Sequence, residues 1–173
     1  MQVTTKIYAD GSCDPNPGEA GSGLAVYRNN VVEELWYGHY DPSGTNNTAE
    51  LNALKHALQL AEREISAGRS VAVFSDSLYS IQCVVQWAPG WKARGWSRKG
   101  GEIKNLDLIR DMFAFYESLG ENIPILHVNG HVGIEGNELA DRMSVIARES
   151  RVTGLVRYVE NLDVSSILAF RSG

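Results

Sequence analysis

The sequence predicts an α/β fold in which a mixed five-stranded sheet is flanked by helices, formed by one domain of ordinary size. Two patterns predict it. Three β-like runs follow one another near the start of the chain, and further along short apolar runs alternate with segments of helical periodicity. Strands joined by tight turns favour antiparallel pairing, whereas strands separated by helices favour parallel pairing. The predicted order of elements is β-β-β-α-β-α-α-β-α.

The first three strands are predicted to form an antiparallel meander. They begin near Lys6, Gly23 and Val31, and Asn29-Asn30 has the composition of a hairpin turn between the last two. The remaining elements alternate between helix and strand. Helical periodicity marks residues 51–65, a segment after Asp76, residues 106–116 and residues 137–149, and apolar runs mark strands at residues 71–74 and 123–128.

Composition excludes several classes of protein. The chain has 173 residues, of which 43% are hydrophobic and 21% charged, as in ordinary globular proteins. No apolar run approaches the roughly 18 residues of a membrane-spanning helix. Cys13 and Cys83 lack a paired spacing, so we expect two free thiols and a cytoplasmic location, and we expect a monomer. Residues 1–150 are predicted to form the domain, and the apolar C-terminal extension, residues 151–173, is predicted to pack on it.

Charge is distributed unevenly along the chain. The formal net charge of −5 argues against a protein that binds polyanions over its whole surface. Residues 87–110 nevertheless contain six Lys or Arg against two Asp or Glu, between two acidic blocks. We call this segment the basic island. Its central part, residues 91–104, is rich in Gly and Trp, so no regular element is expected there. A solvated loop with tryptophans packed on the core is the alternative interpretation.

Four acidic residues stand near the predicted ends of elements. Asp10 and Asp76 are predicted to end the first and fourth strands, Glu50 lies in the first turn of the first helix, and Asp141 lies early in the last helix. If the two strands are parallel neighbours, Asp10 and Asp76 emerge at the same edge of the sheet. Four acids meeting there would repel one another unless cations join them. Mg²⁺ prefers carboxylate oxygens, and two such ions can support an in-line phosphoryl displacement.

Each acid also has a purely structural interpretation. Asn47-x-x-Glu50 resembles a capping box, and Asp76 could be the N-cap of the helix that follows. Asp141 could complement a helix dipole, and Asp10 could stabilise a turn. The four positions taken together favour a shared metal site over these separate roles.

Short strings around the acids carry a resemblance to a known family. They are Asp10-Gly11-Ser12-Cys13 with Asn16-Pro17-Gly18, Thr45-Asn46-Asn47-Thr48-Ala49-Glu50-Leu51, Ser75-Asp76-Ser77 with Tyr79, and Gly130-His131 with Gly136-Asn137-Glu138-Leu139-Ala140-Asp141. Trp87-x-x-x-Trp91-Lys92-x-Arg94-Gly95-Trp96 is similar to a basic protrusion of that family. In this order and spacing, over about residues 3–150, the strings resemble type 1 ribonuclease H.

The resemblance implies a ribonuclease H-like fold and an endonuclease that cuts the RNA strand of RNA/DNA hybrids. The implied products carry 5′-phosphate and 3′-hydroxyl ends. Two Mg²⁺ ions are implied, with Mn²⁺ as a substitute. Matched position by position, the implied metal ligands are Asp10, Glu50, Asp76 and Asp141, and Glu138 matches an auxiliary acid near the second metal.

The resemblance also implies substrate contacts. Asn16, Asn46 and Asn47 match residues that contact the hybrid's backbone and minor groove, Thr45 matches a contact to a DNA phosphate, and the protrusion supplies Trp91, Lys92, Arg94 and Trp96. Amides can donate and accept hydrogen bonds at the 2′-hydroxyl, which distinguishes RNA from DNA. The cations of the protrusion would offset the repulsion between the acids and nucleic acid.

His131 lies in a predicted glycine-rich loop, residues 130–136. The resemblance implies that it helps to move the water's proton or to release product, and an ordinary pKa of about 6.5 suits proton transfer near neutrality. A loop histidine without a role is the alternative. His127 precedes it at a zinc-like spacing, but a strand is predicted there, so the two would not share a helix face.

One departure and two rival functions remain. Leu78 stands where many family members carry a polar residue that touches the hybrid, which puts that contact and the sequence preference in doubt. The first rival is a sister nuclease, either a 3′–5′ exonuclease or an integrase; the exonucleases usually carry Asp-x-Glu on the first strand, whereas Asp10 is followed by Gly11-Ser12. The second is a non-catalytic hybrid-binding module, which should have lost an acid, and none of the four is missing.

Overall fold

The computed structural model describes residues 4–120 and 123–173 and contains one mixed sheet with order β5-β4-β1-β2-β3-β6. The strands are β1 (Thr5–Cys13), β2 (Gly18–Arg28), β3 (Val31–Gly44), β4 (Val71–Ser75), β5 (Ile125–His127) and β6 (Val156–Arg157). The helices are α1 (Asn46–Ser66), α2 (Leu78–Ile81), α3 (Ala88–Ala93), α4 (Leu106–Ser118), α5 (Glu135–Ser150) and α6 (Val164–Leu168), and a π-helical turn (Gln82–Trp87) joins α2 to α3.

The predicted meander is confirmed. β1 pairs with β2 and β2 pairs with β3, both antiparallel. Asn29 and Asn30 have φ angles of 52° and 66°, which a hairpin turn that follows the twist of its strands requires. The predicted strand count is one too low, because residues 156–157 add β6 to the outer edge of β3.

The parallel part of the sheet is also as predicted. β1 and β4 are parallel neighbours from Thr5–Val71 to Ala9–Ser75, and β5 extends this parallel unit on the far side of β4. Asp10 does not end its strand, however, because β1 continues to Cys13 in antiparallel pairing with β2. The end of the parallel ladder, and not the end of the strand, therefore brings Asp10 to the edge beside β4.

Two apolar clusters lie on opposite faces of the sheet. One contains Ile7 and the predicted helical face of α1, of which Leu51, Leu54 and Leu58 have no exposed surface. The other packs α5 against β2 and β3 through Leu139 and Met143. Successive side chains of a strand point to opposite faces, so each core strand can supply both clusters. This arrangement fixes α1 and α5 on either side of β1.

The basic island is more regular than predicted. α3 includes Trp91 and Lys92, and Pro89 stands in its first turn, where a missing N–H costs no helix hydrogen bond. The irregular backbone begins at Gly95 and Trp96, which have φ angles of 69° and 62°. The expectation of no regular element across residues 91–104 is therefore wrong at its beginning.

Residues 151–173 lie against the sheet and α5. β6 pairs Val156 with Tyr37 and Arg157 with Trp36. α6 places Ile167, which is 1% exposed, in the cluster beneath α5.

Candidate active site

A cavity of about 400 Å³ opens where β1 and β4 end their parallel pairing. The four acids singled out in the sequence all line it: Asp10, Glu50, Asp76 and Asp141. The last parallel pair is Ala9 with Ser75, so Asp10 and Asp76 are the next residue on each strand. The predicted meeting of these two positions at one edge of the sheet is therefore observed.

Three of the acids form a tight cluster. One carboxylate oxygen from each of Asp10, Glu50 and Asp76 lies within 4.8 Å of the others. Gly11 permits this approach, because a Cβ at that position would lie 2.4 Å from the carbonyl carbon of Ala49 at the start of α1. The Gly11 N–H donates to Oδ1 of Asp10 at 3.0 Å and also to the Glu50 carboxylate. Glycine at this position therefore lets α1 bring Glu50 against β1.

Asp141 lies on the same cavity wall but is not part of that cluster. α5 reaches the sheet closely at Gly23, where a Cβ would lie 2.1 Å from the carbonyl oxygen of Ala140. The Asp141 side chain is 5% exposed. Its Oδ2 accepts hydrogen bonds from Nη1 of Arg142 at 2.9 Å and from the Gly173 N–H at 3.0 Å. The structure thus brings the fourth acid to the cavity with one oxygen already held by two donors.

The structural interpretations of two acids are wrong. The N-cap of α1 is Thr45, and its side chain and that of Thr48 cap each other's backbone N–H, so Glu50 does not close a capping box. The N-cap of α2 is Ser77, so Asp76 does not cap that helix. These two carboxylates are consequently free of capping roles and face the cavity.

Burial and mutual repulsion act strongly on the cluster. Burial, followed by the charges of Glu50, Asp76 and Asp141, raises the pKa of Asp10 well above its ordinary value. Burial and the charge of Asp76 likewise raise the pKa of Glu50. Within the described residues, no Lys or Arg forms an ion pair with the three clustered acids. The protein therefore concentrates negative charge without compensating it by its own cations.

The donor set fits a hard divalent cation. Carboxylate oxygens are the ligands that Mg²⁺ and Mn²⁺ take, together with water and substrate phosphate. In the described ranges, these three residues are the one group of three or more acidic, His or Cys side chains close enough to share an ion. Asn137, which is 2% exposed, supports the arrangement by donating to Oδ2 of Asp76 at 3.3 Å. The sequence did not single out this positioning contact.

His131 lines the cavity and is exposed on the loop before α5. Its φ of 57° and the φ of 87° at Gly133 show a loop that departs from regular backbone. His127 lies on β5, where its Nε2 is 3.3 Å from the carbonyl oxygen of Asp76. The strand assignment that argued against a zinc pair is therefore observed.

The asparagines lie on a polar groove beside the cavity that the four acids line. Asn16 accepts a hydrogen bond from the Asn46 N–H at 3.1 Å, and both line the groove with Thr45, Asn47 and Lys104. Asn46 also lines the cavity of the acids. The sequence-predicted substrate contacts 16 and 45–47 are thus brought together beside the acids.

The groove continues into a cavity of about 470 Å³ under the basic island. This cavity is lined by Asn47, Tyr79, Trp87, Trp91, Arg98, Ile103 and Lys104. The other predicted contacts of the island lie elsewhere. Lys92 forms an ion pair with Glu117 at 2.6 Å, and Trp96 packs edge-on against Phe113 with ring centroids 6.1 Å apart. Arg94 is exposed and does not line the cavity. Trp91 therefore lies on this path, whereas Lys92, Arg94 and Trp96 do not line it.

Glu138 lies in the first turn of α5, one helical turn before Arg142. Arg142 bridges Glu138 and Asp141 through Nη1 at 2.9 Å from each. Its Nη2 donates to the carbonyl oxygen of Leu168 at 3.2 Å, which ties the two acids to the end of α6. Glu138, the predicted auxiliary acid, is therefore close to Asp141 but already forms an ion pair with Arg142.

Arg148 is a cavity residue that the sequence did not indicate. It lines the cavity of the four acids although its side chain is only 7% exposed. Its position seven residues after Asp141 corresponds to two turns of helix, so the two share a face of α5. That spacing was the available signal, but an arginine near a helix C-terminus is ordinarily explained by the helix dipole.

The sheet order, with three carboxylates from β1, α1 and the end of β4 meeting at one edge, indicates the class of protein: an α/β domain whose acids are close enough to share a metal ion. The RNase H family model matches residues 2–149. The chain therefore belongs to the ribonuclease H family of enzymes.

Individual relatives agree with this assignment. The chain is 36% identical over 152 residues to ribonuclease H of Methylorubrum extorquens (strain PA1), an alignment that covers 88% of this chain and 63% of that one. LC9-RNase H1, a type 1 RNase H with the type 2 active-site motif, superposes with a TM-score of 0.72 at 25% identity and covers 99% of this chain and 93% of its own. LC11-RNase H1 in complex with RNA/DNA hybrid shares the fold at 22% identity, with a TM-score of 0.62 over 85% of this chain and 98% of that one.

None of the described helices combines the length and the apolar character needed to span a membrane.

Proposed function

We propose that this protein hydrolyses the RNA strand of RNA/DNA hybrids internally and leaves 5′-phosphate and 3′-hydroxyl ends. The observation that carries the proposal is the clustering of the Asp10, Glu50 and Asp76 carboxylate oxygens within 4.8 Å. Family membership supports the reaction, and a structural neighbour, LC11-RNase H1, is a complex with RNA/DNA hybrid.

The four acids would hold two Mg²⁺ ions, or Mn²⁺ in their place. When bound, such ions activate a water and stabilise the leaving oxygen of a phosphodiester. Asp10, Glu50 and Asp76 supply the tight part of the site, and Asp141 and Glu138 supply oxygens from α5 on the adjoining wall. We assign His131, exposed at the mouth of the cavity, to proton transfer or product release.

Substrate selection is assigned to the polar groove and the cavity beneath the basic island. The side chains of Asn16, Asn46 and Asn47 can donate and accept hydrogen bonds at ribose hydroxyls. Thr45 lies on the same groove, and Trp91, Arg98 and Lys104 offer an aromatic face and two cations further along. If one strand of the hybrid bound across both the polar groove and the cavity beneath the basic island, its backbone would lie over the acids.

Two accompanying proposals concern the setting of the enzyme. Cys13 and Cys83 are both free thiols, which suits the reducing cytoplasm. We also propose that the enzyme acts as a monomer, because a single chain suffices to supply all four acids that the family resemblance implies.

A cleavage assay tests the proposal. The full chain is incubated with labelled RNA/DNA hybrid, double-stranded RNA, single-stranded RNA or duplex DNA, in Mg²⁺ or in EDTA. We expect internal cuts in the RNA of the hybrid alone, dependent on Mg²⁺ and abolished by Asp10→Asn. Asp111→Asn, an exposed acid on α4, is the matched control and should cleave normally. Cleavage that survives EDTA would refute the metal mechanism, and release of terminal mononucleotides alone would indicate an exonuclease.

A further inference from the structure

Arg148 is a nearly buried cation on the wall of the catalytic cavity. Its side chain is 7% exposed, and α5 holds it against β2, where a Cβ on Gly21 would lie 2.7 Å from the Arg148 backbone nitrogen. Asp10 and Asp141 line the same cavity. The backbone of α5 at Arg148 is therefore packed closely against β2.

The guanidinium of Arg148 is poorly satisfied. Its nearest carboxylate oxygen is Oδ2 of Asp14 at 3.7 Å, beyond hydrogen-bond distance, and within the described residues its guanidinium forms no hydrogen bond. Arg142 donates to two carboxylates and a carbonyl through its terminal nitrogens, although its Nε is buried without a hydrogen-bond partner among the described residues. Desolvating a charge is costly unless hydrogen bonds replace those to water. Arg148 thus retains an unfilled capacity to bind an anion.

A second cation approaches the same point. Arg171 places Nη2 3.9 Å from Oδ2 of Asp14, and it also lines the cavity. Asp14 itself is 63% exposed, so it can turn into solvent at little cost. Its departure would leave two guanidinium groups beside the metal-binding acids.

A phosphate group is the kind of ligand that the two guanidinium groups would bind. A guanidinium offers parallel N–H donors that match two phosphate oxygens, whereas it cannot bind a metal ion. Seven residues of α-helix span about 10 Å, so the backbone of Arg148 lies about two turns from that of Asp141 along α5. A phosphate farther along the same strand is within its range.

We propose that Arg148 binds a phosphate of the RNA strand next to the cleavage site, and that Asp14, its ion-pair partner in the free protein, competes with that phosphate. This inference rests on the proposed function, because it takes the strand at the acids to be RNA. Arg148 is then a substrate-binding residue of this chain, and Asp14 is an internal competitor of the substrate.

Salt-dependent binding tests the inference separately from cleavage. Binding of a fluorescent RNA/DNA hybrid is measured by anisotropy in EDTA at several KCl concentrations. Arg148→Gln should weaken binding about tenfold and reduce the slope of log Kd against log salt by about one, as expected for one lost phosphate contact. Arg148→Lys should retain most of the slope. Arg157→Gln, on β6, is the matched control and should behave as wild type. An unchanged slope in Arg148→Gln would overturn the inference.

Asp14→Asn provides an independent test, because the Asp14 side chain is largely exposed and its substitution should not disturb the fold. Removing the competitor should tighten hybrid binding several-fold, and unchanged or weaker binding would count against the inference even if Arg148→Gln failed to fold. Thermal unfolding of each variant verifies that the fold is retained. If wild type binds hybrid with these effects but does not cut it, the proposed function fails and the phosphate site stands. If wild type cuts hybrid but the Arg148 and Asp14 substitutions do not change binding, the proposed function stands and the phosphate site fails.

Discussion

The backbone N–H of Gly173 donates a hydrogen bond to Oδ2 of Asp141 at 3.0 Å. The same oxygen accepts from Arg142 at 2.9 Å, and Arg142 also donates to the carbonyl oxygen of Leu168. Ile167, 1% exposed, anchors this segment under α5. A carboxylate oxygen of the catalytic cavity is therefore engaged by a segment more than 25 residues further along the chain.

Deleting residues 169–173 should strengthen divalent-metal binding. The segment's hydrogen bond to Asp141 must be given up when a cation takes that oxygen, and one such bond is worth about 0.5–1.5 kcal/mol net, or about two- to tenfold in affinity. Calorimetric titration with MnCl₂ measures the change. Val159→Ala, at a side chain that is 85% exposed, serves as the control and should bind as wild type. Equal or weaker Mn²⁺ binding by the shortened chain would show that the contact does not compete.

Gly11→Ala should reduce both stability and activity. The added Cβ would lie 2.4–2.6 Å from backbone atoms of Ala49 and Glu50, so α1 must shift and carry the Glu50 carboxylate with it. Overpacking of this kind costs about 1–3 kcal/mol. Urea unfolding and the hybrid cleavage assay measure the two effects. Gly154→Ala is the matched control, because a Cβ added there would have no atom within 4 Å and the backbone at that position is unstrained. Wild-type behaviour of Gly11→Ala would mean that this close approach is not required.

Asp10→Asn should stabilise the metal-free protein. Burial and the neighbouring acids raise the pKa of Asp10, so its charged form opposes folding at neutral pH, and a neutral amide of the same shape removes that opposition. An increase in the free energy of unfolding is therefore expected at neutral pH. Urea unfolding at pH 7 in EDTA measures it, and Mg²⁺ should stabilise wild type more than the variant. Asp111→Asn should change stability by less than about 0.5 kcal/mol. A destabilised Asp10→Asn protein would contradict this account.

Glu64, which does not line the cavity of the acids, should contribute to the loss of stability of the fold at acidic pH. Burial alone would raise its pKa, but hydrogen bonds from Arg69, Arg28 and Thr5 lower it to about 2. Because the pKa falls on folding, the stabilisation is fully present above the ordinary value of 4.5 and is lost as the pH falls through about 2. Glu64→Gln should cost about 1–3 kcal/mol at pH 7, since it weakens the charged hydrogen bonds from the partly exposed Arg28 and Arg69 and the one from the buried Thr5.

Urea unfolding between pH 7 and pH 2 tests this linkage. Glu64→Gln should lose less additional stability than wild type as the pH falls below 4.5, because the titrating group is gone. Glu33→Gln is the control: it also bonds to Arg28 but is 46% exposed, so it should cost less than about 1 kcal/mol. If the free energies of unfolding of wild type and Glu64→Gln changed in parallel with pH, Glu64 would be excluded as the source of the acid sensitivity.

Much of the fold could be predicted because its signals are local. The apolar spacing of Leu51, Leu54 and Leu58 predicts the buried face of α1, and Asn29-Asn30 predicts the β2–β3 turn. The element order predicts which strands are parallel. The capping roles were not predictable from spacing alone, because Thr45 and Thr48 compete with Asn47 and Glu50 for the same helix end. Only the backbone geometry decides which pair caps it.

The sequence by itself determined the α/β class, the meander, the main helices and the four acids, because short-range periodicity and residue type carry that information. The tertiary structure alone decided that Asp10, Glu50 and Asp76 cluster while Asp141 is held by Gly173, and that Arg148 faces the same cavity. These relationships join residues far apart in the chain. They depend on how closely α1 and α5 approach the sheet at Gly11 and Gly23, a distance that no local pattern encodes.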